Sequence, residues 1–252
     1  MSAIWVEITG TRGSAPRDAG TAMKVTPLGT QGTIGGGALE HRAIATAREM
    51  IAQGAAAEAT RTVPLGPGLG QCCGGAVTLR FTRQALATDA PAPGPRPGLA
   101  PPDRPVPLWL WGAGHVGRAV VAVCPACAFD ITWVDTGPDR FPTEIPRGID
   151  VVTATDMPRL AASAPRDVHH LIFTYAHDID LALCAALLKR GFASCGLIGS
   201  ATKWARFQAR LRAAGLDPTP IRCPIGDKSL GKHPGAIAAG VVDAYLREGL
   251  PA

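Results

Sequence analysis

One glycine-rich segment has the spacing of a phosphate-binding turn. Gly112, Gly114 and Gly117 follow an apolar run and precede a stretch with helical periodicity. Glycines at this spacing permit a tight turn and bring backbone amides close to a phosphate at the positive end of the helix. His115 lies in the same turn, and Asp135 follows 18 residues after Gly117, where an acid that binds a ribose would lie. The alternative is that the glycines serve only helix–strand packing.

Two adjacent thiols form a second candidate site. Cys72 and Cys73 lie among glycines, so their loop is conformationally permissive and we expect it to be exposed. Thiolates there could bind a soft metal or carry sulfur, which makes both residues candidate metal ligands and cofactor ligands. Adjacent cysteines do not easily ligate one zinc ion tetrahedrally, so we do not expect a zinc finger. The alternative is a structural turn with an incidental thiol.

Polar residues follow two further apolar runs. His177 and Asp178 come directly after one run, and polar groups at the carboxyl end of a parallel strand face the usual ligand crevice. The alternative is that Asp178 or Asp180 caps the next helix. After another run, Ser200 can cap a helix and Lys203 is available for an anion. Each of these residues could instead be an ordinary surface group.

The other cysteines favour packing over chemistry. Cys124 and Cys127 have CxxC spacing, but they lie at the predicted end of a helix. A redox pair normally lies at a helix N-terminus, where the dipole lowers the thiol pKa. Cys184 and Cys195 occur in apolar surroundings and are expected in the core. Cys223 precedes a proline, and its role stays open.

The elements that must position these residues fall into two parts. Prolines concentrate between residues 84 and 106, a composition typical of a semi-rigid linker. Residues 1–83 are predicted to form strands at 4–9, 21–26, 31–34, 58–63 and 76–81, and a helix at 38–53. Residues 107–252 are predicted to alternate strands at 108–111, 131–134, 151–154, 170–174 and 194–198 with helices at 116–126, 180–190, 202–214 and 235–247.

This alternation predicts βαβ units and a parallel sheet. We therefore predict an α/β protein in which a small N-terminal α+β domain precedes a Rossmann-like parallel-sheet domain. The domain limits are 1–83 and 107–252, with the linker at 84–106.

Composition narrows the class of protein. The chain has 252 residues, 46% of them apolar and 18% charged, with a net charge of +5. Scattered arginines and 5% aromatic residues argue against a nucleic-acid interface. The start of the sequence has no basic, apolar signal pattern, and no run of about 18 apolar residues occurs. We expect a cytoplasmic protein with reduced thiols and no membrane association.

The combined motifs resemble those of the XdhC/CoxI family. The resemblance rests on residues 32–40, 71–75 and 112–117, supported by 13–17, 134–135, 174–178, 196–200 and 224–226. It implies a chaperone that binds the molybdenum cofactor (molybdopterin), cooperates with a cysteine desulfurase while molybdenum gains its terminal sulfur, and delivers the product to xanthine dehydrogenase. It also implies self-association, with a dimer as the expected form. Which of Cys72 and Cys73 contacts the cofactor stays open.

Two other functions fit the same residues. The fingerprint and Asp135 also suit an NAD(P)-dependent oxidoreductase, although no convincing proton donor can be assigned. A nucleotide-binding scaffold for dehydrogenase assembly is a further reading, and a nucleotide could accompany the molybdenum cofactor. We therefore assign no catalytic residue and expect a maturation factor rather than an enzyme.

Overall fold

A computed structural model describes residues 3–54, 58–65, 75–88, 104–124 and 128–247 of the chain. The chain divides into two compact units, Met1–Pro91 and Ala92–Ala252. Most of the predicted linker, residues 89–103, lies outside the described residues, and the linker stays a prediction. None of the helices among the described residues is long and apolar enough to cross a membrane.

The N-terminal unit is an antiparallel sheet with one helix. Its strands lie in the order β3-β2-β1-β5-β4. The elements are β1 Ile4–Arg12, β2 Ala22–Val25, β3 Thr30–Gln31, α1 Gly37–Ala52, β4 Ala59–Pro64 and β5 Ala76–Thr82.

Alternation along β1 explains how this unit forms its core. Ile4, Val6 and Ile8 are fully buried, whereas the residues between them are partly exposed. Side chains that alternate in this way place one face of an antiparallel sheet against the core. Leu39 and Ala43 of α1 belong to the same apolar cluster, so the helix covers the buried face of the sheet.

The C-terminal unit is a six-stranded parallel sheet in the order β8-β7-β6-β9-β10-β11. Its first strand therefore lies beside the fourth, which is the strand order of a doubly wound Rossmann domain. The strands are β6 Val106–Trp111, β7 Phe129–Asp135, β8 Ile149–Thr153, β9 His169–Ile172, β10 Ser194–Leu197 and β11 Ile221–Arg222. The helices are α2 His115–Val123, α3 Met157–Ala161, α4 His177–Arg190, α5 Ala201–Ala213 and α6 Pro234–Arg247. The predicted fold class is confirmed.

Several elements differ from the predictions. Strand β1 continues to Arg12, through residues expected to form a loop, because Gly10, Thr11 and Arg12 pair with β5. The short helix α3 and the two-residue strand β11 were not predicted. Both are too short to show apolar periodicity, and β11 exists through its pairing with β10.

Candidate functional site

The first and third glycines of the turn after β6 are required by close backbone contacts. Gly112 has a φ of 117°, and a Cβ atom there would lie 2.5 Å from the carbonyl oxygen of Phe173. A Cβ atom on Gly117 would collide with the carbonyl oxygen of Gly112. These two glycines let β6 approach the end of β9 and let α2 fold back on the turn.

The second glycine, by contrast, faces open space. Gly114 is exposed, and a Cβ atom there would meet no other atom within 4 Å. It is the N-cap residue of α2, and no side chain among the described residues caps this helix end. His115, the first helical residue, is half-buried. The first amides of a helix lack intrahelical partners, so this end can accept an anion such as phosphate.

Asp135 supports the glycine turn through hydrogen bonds with backbone amides. Its Oδ2 accepts a hydrogen bond from the Ala113 amide at 2.6 Å, and its Oδ1 accepts one from the Thr136 amide at 2.6 Å. The side chain is buried at the end of β7. Both oxygens thus bind the backbone, so the residue expected at a ribose position acts here as a support for the loop.

Arg118 links the same turn to the segment that follows β7. Arg118 donates from Nε to the carbonyl of Ala113 at 2.9 Å and from Nη2 to the carbonyl of Arg140 at 2.7 Å. The guanidinium of Arg140 lies over the ring of Tyr175, 4.2 Å from its centroid. Residues that follow β7 and β9 therefore meet beside the turn that follows β6, and they bring positive charge to it.

A buried ion pair joins the loops after β9 and β10. Lys203 Nζ lies 2.6 Å from Asp180 Oδ2 and donates to the carbonyl of Ile198 at 2.9 Å. Asp180 Oδ1 accepts hydrogen bonds from the amide and the hydroxyl of Thr174. Lys203, which the sequence analysis made available to an anion, is thus ion-paired with Asp180 within the protein, and its contact with a ligand stays a prediction.

The remaining predicted site residues occupy different settings. His177 is half-buried at the start of α4, and burial, followed by the charge of Lys203, lowers its pKa. The Asp178 side chain is 90% exposed and lies 3.7 Å from Arg210 Nη1. Ser200 caps α5 by accepting a hydrogen bond from the Lys203 amide at 3.1 Å. Of these residues, Ser200 has the capping role that its position predicts.

An open cavity lies at the ends of β7 and β8. It was not predicted from the sequence. It is lined by residues that include Thr136, Thr153 and Asp156. Asp156 caps α3 by accepting a hydrogen bond from the Arg159 amide. The sequence signal for this cavity was the Thr-Ala-Thr-Asp segment that follows an apolar run. Segments of this composition also occur in ordinary loops, so the signal is not specific.

Three of the four thiols described in the C-terminal unit, Cys124, Cys184 and Cys195, are unsuited to nucleophilic chemistry. Burial raises the pKa of Cys124 to about 12 and raises those of Cys184 and Cys195 further above the usual thiol range. A raised pKa keeps the thiol protonated and unreactive. No group of three potential metal ligands occurs among the described residues.

In the N-terminal unit, the turns that flank the paired cysteines converge. Cys72 and Cys73 themselves lie in residues 66–74, outside the described residues. At the ends of this segment, the Leu65 amide donates to the carbonyl of Gly75 at 2.8 Å. A Cβ atom on Gly75 would collide with the carbonyl oxygen of Ser14. The segment that carries the two cysteines therefore begins and ends beside the turn after β1.

A second glycine-rich turn in this unit is closed by a carboxylate. A Cβ atom on Gly35 would lie 2.6 Å from the Pro16 ring. Oε2 of buried Glu40 accepts hydrogen bonds from the Thr33 hydroxyl, the Ile34 amide and the Gly36 amide. The carboxylate thus satisfies the amides that precede α1.

Both units of the chain match models of known protein families. A model of the XdhC Rossmann domain matches residues 108–243, and a model of the XdhC and CoxI family matches residues 2–63. No curated protein matches the chain.

Solved structures give a likeness of fold. A protein from Bacillus halodurans described as a xanthine dehydrogenase is 17% identical, with a TM-score of 0.50, and the match covers 99% of this chain and 92% of that one. A Rossmann-fold NAD(P)-binding family protein from Shigella flexneri is 14% identical, with a TM-score of 0.38, and covers 57% of this chain and 87% of its own. The second likeness is too weak to support an argument. Because the Rossmann-domain model alone matches more than half of the chain, the chain belongs to the XdhC family.

Proposed function

We propose that this protein binds the molybdenum cofactor as cargo, holds it while molybdenum gains its terminal sulfur, and delivers it to xanthine dehydrogenase. Membership of the XdhC family supports a role in xanthine dehydrogenase maturation. The observation that carries the binding step is the open helix end at Gly114, because the cargo is a pterin that bears a phosphate. The sulfur would come from a cysteine desulfurase, and the carrier would act as a dimer.

The residues around Gly114 suit a phosphate. The helix end presents backbone amides and the positive end of the α2 dipole, and the exposed glycine lets an anion approach them. Arg118 adds a positive charge beside the turn, since its Nε donates to the carbonyl of Ala113. Asp135 supports the loop from the buried side, so its negative charge is shared with backbone donors.

The paired thiols suit the molybdenum of the cargo. Molybdenum and its dithiolene sulfurs are soft, and thiolates are the side chains that soft metals prefer. Cys72 and Cys73 lie between two residues, Leu65 and Gly75, whose backbones are hydrogen-bonded to each other. Both thiols are therefore candidate ligands of molybdenum, and which of them contacts it stays open.

Binding can be tested directly. Purified protein is mixed with isolated molybdenum cofactor, free ligand is removed by gel filtration, and molybdenum and pterin are assayed in the protein fraction. We expect both to co-elute at about one equivalent. Absence of both, with intact cofactor verified in the starting mixture, would refute the carrier function.

The thiol role needs matched variants. Cys72→Ser, Cys73→Ser and the double variant are compared with Cys124→Ser, which removes a half-buried thiol at the end of α2. We expect the double variant to retain at least about tenfold less molybdenum, because soft ligands are lost. Reactivation of cofactor-free xanthine dehydrogenase should fall in parallel. Full retention and reactivation by the double variant would exclude the thiols.

A second function, NAD(P)-dependent oxidation or reduction, is favoured by the strand order and by the acid at the end of β7. The burial of Asp135 behind two hydrogen bonds with the backbone weighs against it, because a ribose would need access to this carboxylate. Titration with NAD and NADP separates the two functions. Saturable binding at micromolar concentration would favour the oxidoreductase, and no binding at millimolar concentration would remove it.

A further inference from the structure

The cavity at the carboxyl edge of the parallel sheet has a volume of about 660 Å³. It lies where β7 and β8 end, and its lining includes three threonines, Thr136, Thr153 and Thr155, together with Asp156 and Arg159. This volume is within the range of small-molecule sites. The lining is mainly apolar, and these hydroxyl and charged groups are set within it, which suits a flat ring with hydrogen-bonding groups on its edge.

The cavity adjoins the glycine turn through two consecutive residues. Asp135 accepts a hydrogen bond from the Ala113 amide in that turn, and the next residue, Thr136, lines the cavity. The cavity therefore begins one residue along the chain from the side chain that supports the turn. In doubly wound sheets, ligands lie in the crevice outside the carboxyl ends of the strands.

The charged residues of the cavity select one kind of ring. Asp156 is a hydrogen-bond acceptor when ionised, and its Oδ1 already accepts from the Arg159 amide at 3.1 Å. A carboxylate pairs best with two adjacent N–H groups, whereas a ring nitrogen with a lone pair repels it. The guanidinium of Arg159 has donors only, so it suits a ring carbonyl oxygen.

We propose that this cavity binds a 2-amino-4-oxopyrimidine ring, the ring that pterins and guanine share. Such a ring presents an N–H and an amino group side by side for Asp156 and a carbonyl oxygen for Arg159. Adenine presents a lone pair beside its amino group and fits this pair poorly. The assignment of the ring to the pterin of the cargo rests on the proposed function, whereas the selectivity for the ring does not.

Three nucleotides test the selectivity. GMP, IMP and AMP carry the same ribose phosphate, but IMP lacks the 2-amino group and AMP reverses the donor pattern. We expect calorimetric titration of the full chain to give at least about tenfold tighter binding for GMP than for IMP or AMP, because each of them leaves the carboxylate without a donor pair. Equal affinities for the three nucleotides, or no binding of GMP, would overturn the proposal.

A single variant assigns the selectivity to Asp156. Asparagine caps helices as well as aspartate does, so Asp156→Asn should keep α3 folded. We expect this variant to bind GMP about tenfold more weakly while its affinity for IMP changes little. Asp150→Asn, which removes an exposed carboxylate from the neighbouring strand β8, is the matched control and should bind like the unaltered chain. Unchanged preference for GMP in Asp156→Asn would overturn the assignment.

Competition identifies the source of the ring. Displacement of GMP by isolated molybdenum cofactor would assign the cavity to the pterin. Simultaneous binding of both would overturn that assignment and make the cavity a guanine nucleotide site. GMP selectivity without any binding of molybdenum cofactor would refute the proposed carrier function and leave the ring selectivity standing.

Discussion

The two glycine-rich turns of this protein look alike in sequence but have opposite hydrogen-bonding states. Gly35 and Gly36 precede α1, and the amide of Gly36 donates to the carboxylate of Glu40 in the first turn of that helix. Gly114 precedes α2, which has no acidic residue in its first turn and no side-chain cap among the described residues. The position of one carboxylate therefore decides whether a glycine turn is closed or can receive an anion.

A third turn, before α5, extends the comparison. Ser200 caps this helix, and Lys203 in its first turn is paired with buried Asp180. Both the amide and the charge that could hold an anion there have partners within the protein. Among these three helix starts, the turn at Gly114 is the one whose geometry suits a phosphate.

The largest expected loss of stability follows from breaking the ion pair between Lys203 and Asp180 at the start of α5. Lys203→Met should lower the free energy of unfolding by about 3–5 kcal/mol, because it leaves the buried carboxylate of Asp180 without its partner. Four of the five tryptophans lie in the C-terminal unit, so urea unfolding followed by tryptophan fluorescence measures this change. Asp178→Asn, which affects the exposed pair with Arg210, should change stability by less than about 0.5 kcal/mol. Equal effects would contradict the structural role of Lys203.

Replacing the carboxylate that closes the turn before α1 should cause the next largest loss of stability. Glu40→Gln replaces an acceptor of three hydrogen bonds with a group that carries two donors, at an expected cost of about 2–3 kcal/mol. Hydrogen exchange of the amides in α1 and β1 reports the stability of this unit. Glu49→Gln, at an exposed position of the same helix, is the control and should leave exchange unchanged. Unaltered protection in Glu40→Gln would show that the carboxylate does not close the turn.

Within the open turn, the third glycine should be the most sensitive. Gly117→Ala places a methyl group against the carbonyl oxygen of Gly112. Backbone cannot yield as a flexible side chain does, so we expect a loss of about 1–3 kcal/mol and loss of cargo binding. Urea unfolding and the gel-filtration assay measure the two effects. A fully stable variant would mean that the turn relaxes at little cost.

Substitution of the second glycine, Gly114, should weaken ligand binding while stability stays nearly unchanged. Gly114→Ala has room for its methyl group and a φ of −74°, which any residue adopts, so stability should change by less than about 1 kcal/mol. The same methyl group would stand where the phosphate approaches, and we expect about tenfold weaker binding of a phosphate-bearing ligand such as GMP. Unchanged affinity would place the phosphate elsewhere.

The alternation of strands and helices and the parallel sheet of the C-terminal unit could largely be predicted from the sequence. Apolar runs alternating with amphipathic stretches specify βαβ units, because buried parallel strands and their covering helices need different periodicities. The fingerprint at residues 112–117 was recognisable for a steric reason, since Gly112 and Gly117 lie where no Cβ atom fits. These constraints are local, so a local pattern records them.

The partners of the polar groups could not be predicted in this way. Lys203 and Asp180 are 23 residues apart, and only the adjacency of β9 and β10 brings them together. Asp135 similarly meets Ala113 because β7 pairs with β6. The sequence by itself determined the residue types at each candidate site and the positions of the glycines in the turns. Only the tertiary structure decided how Lys203 and Asp135 are paired, because those hydrogen bonds depend on contacts between strands distant in the chain.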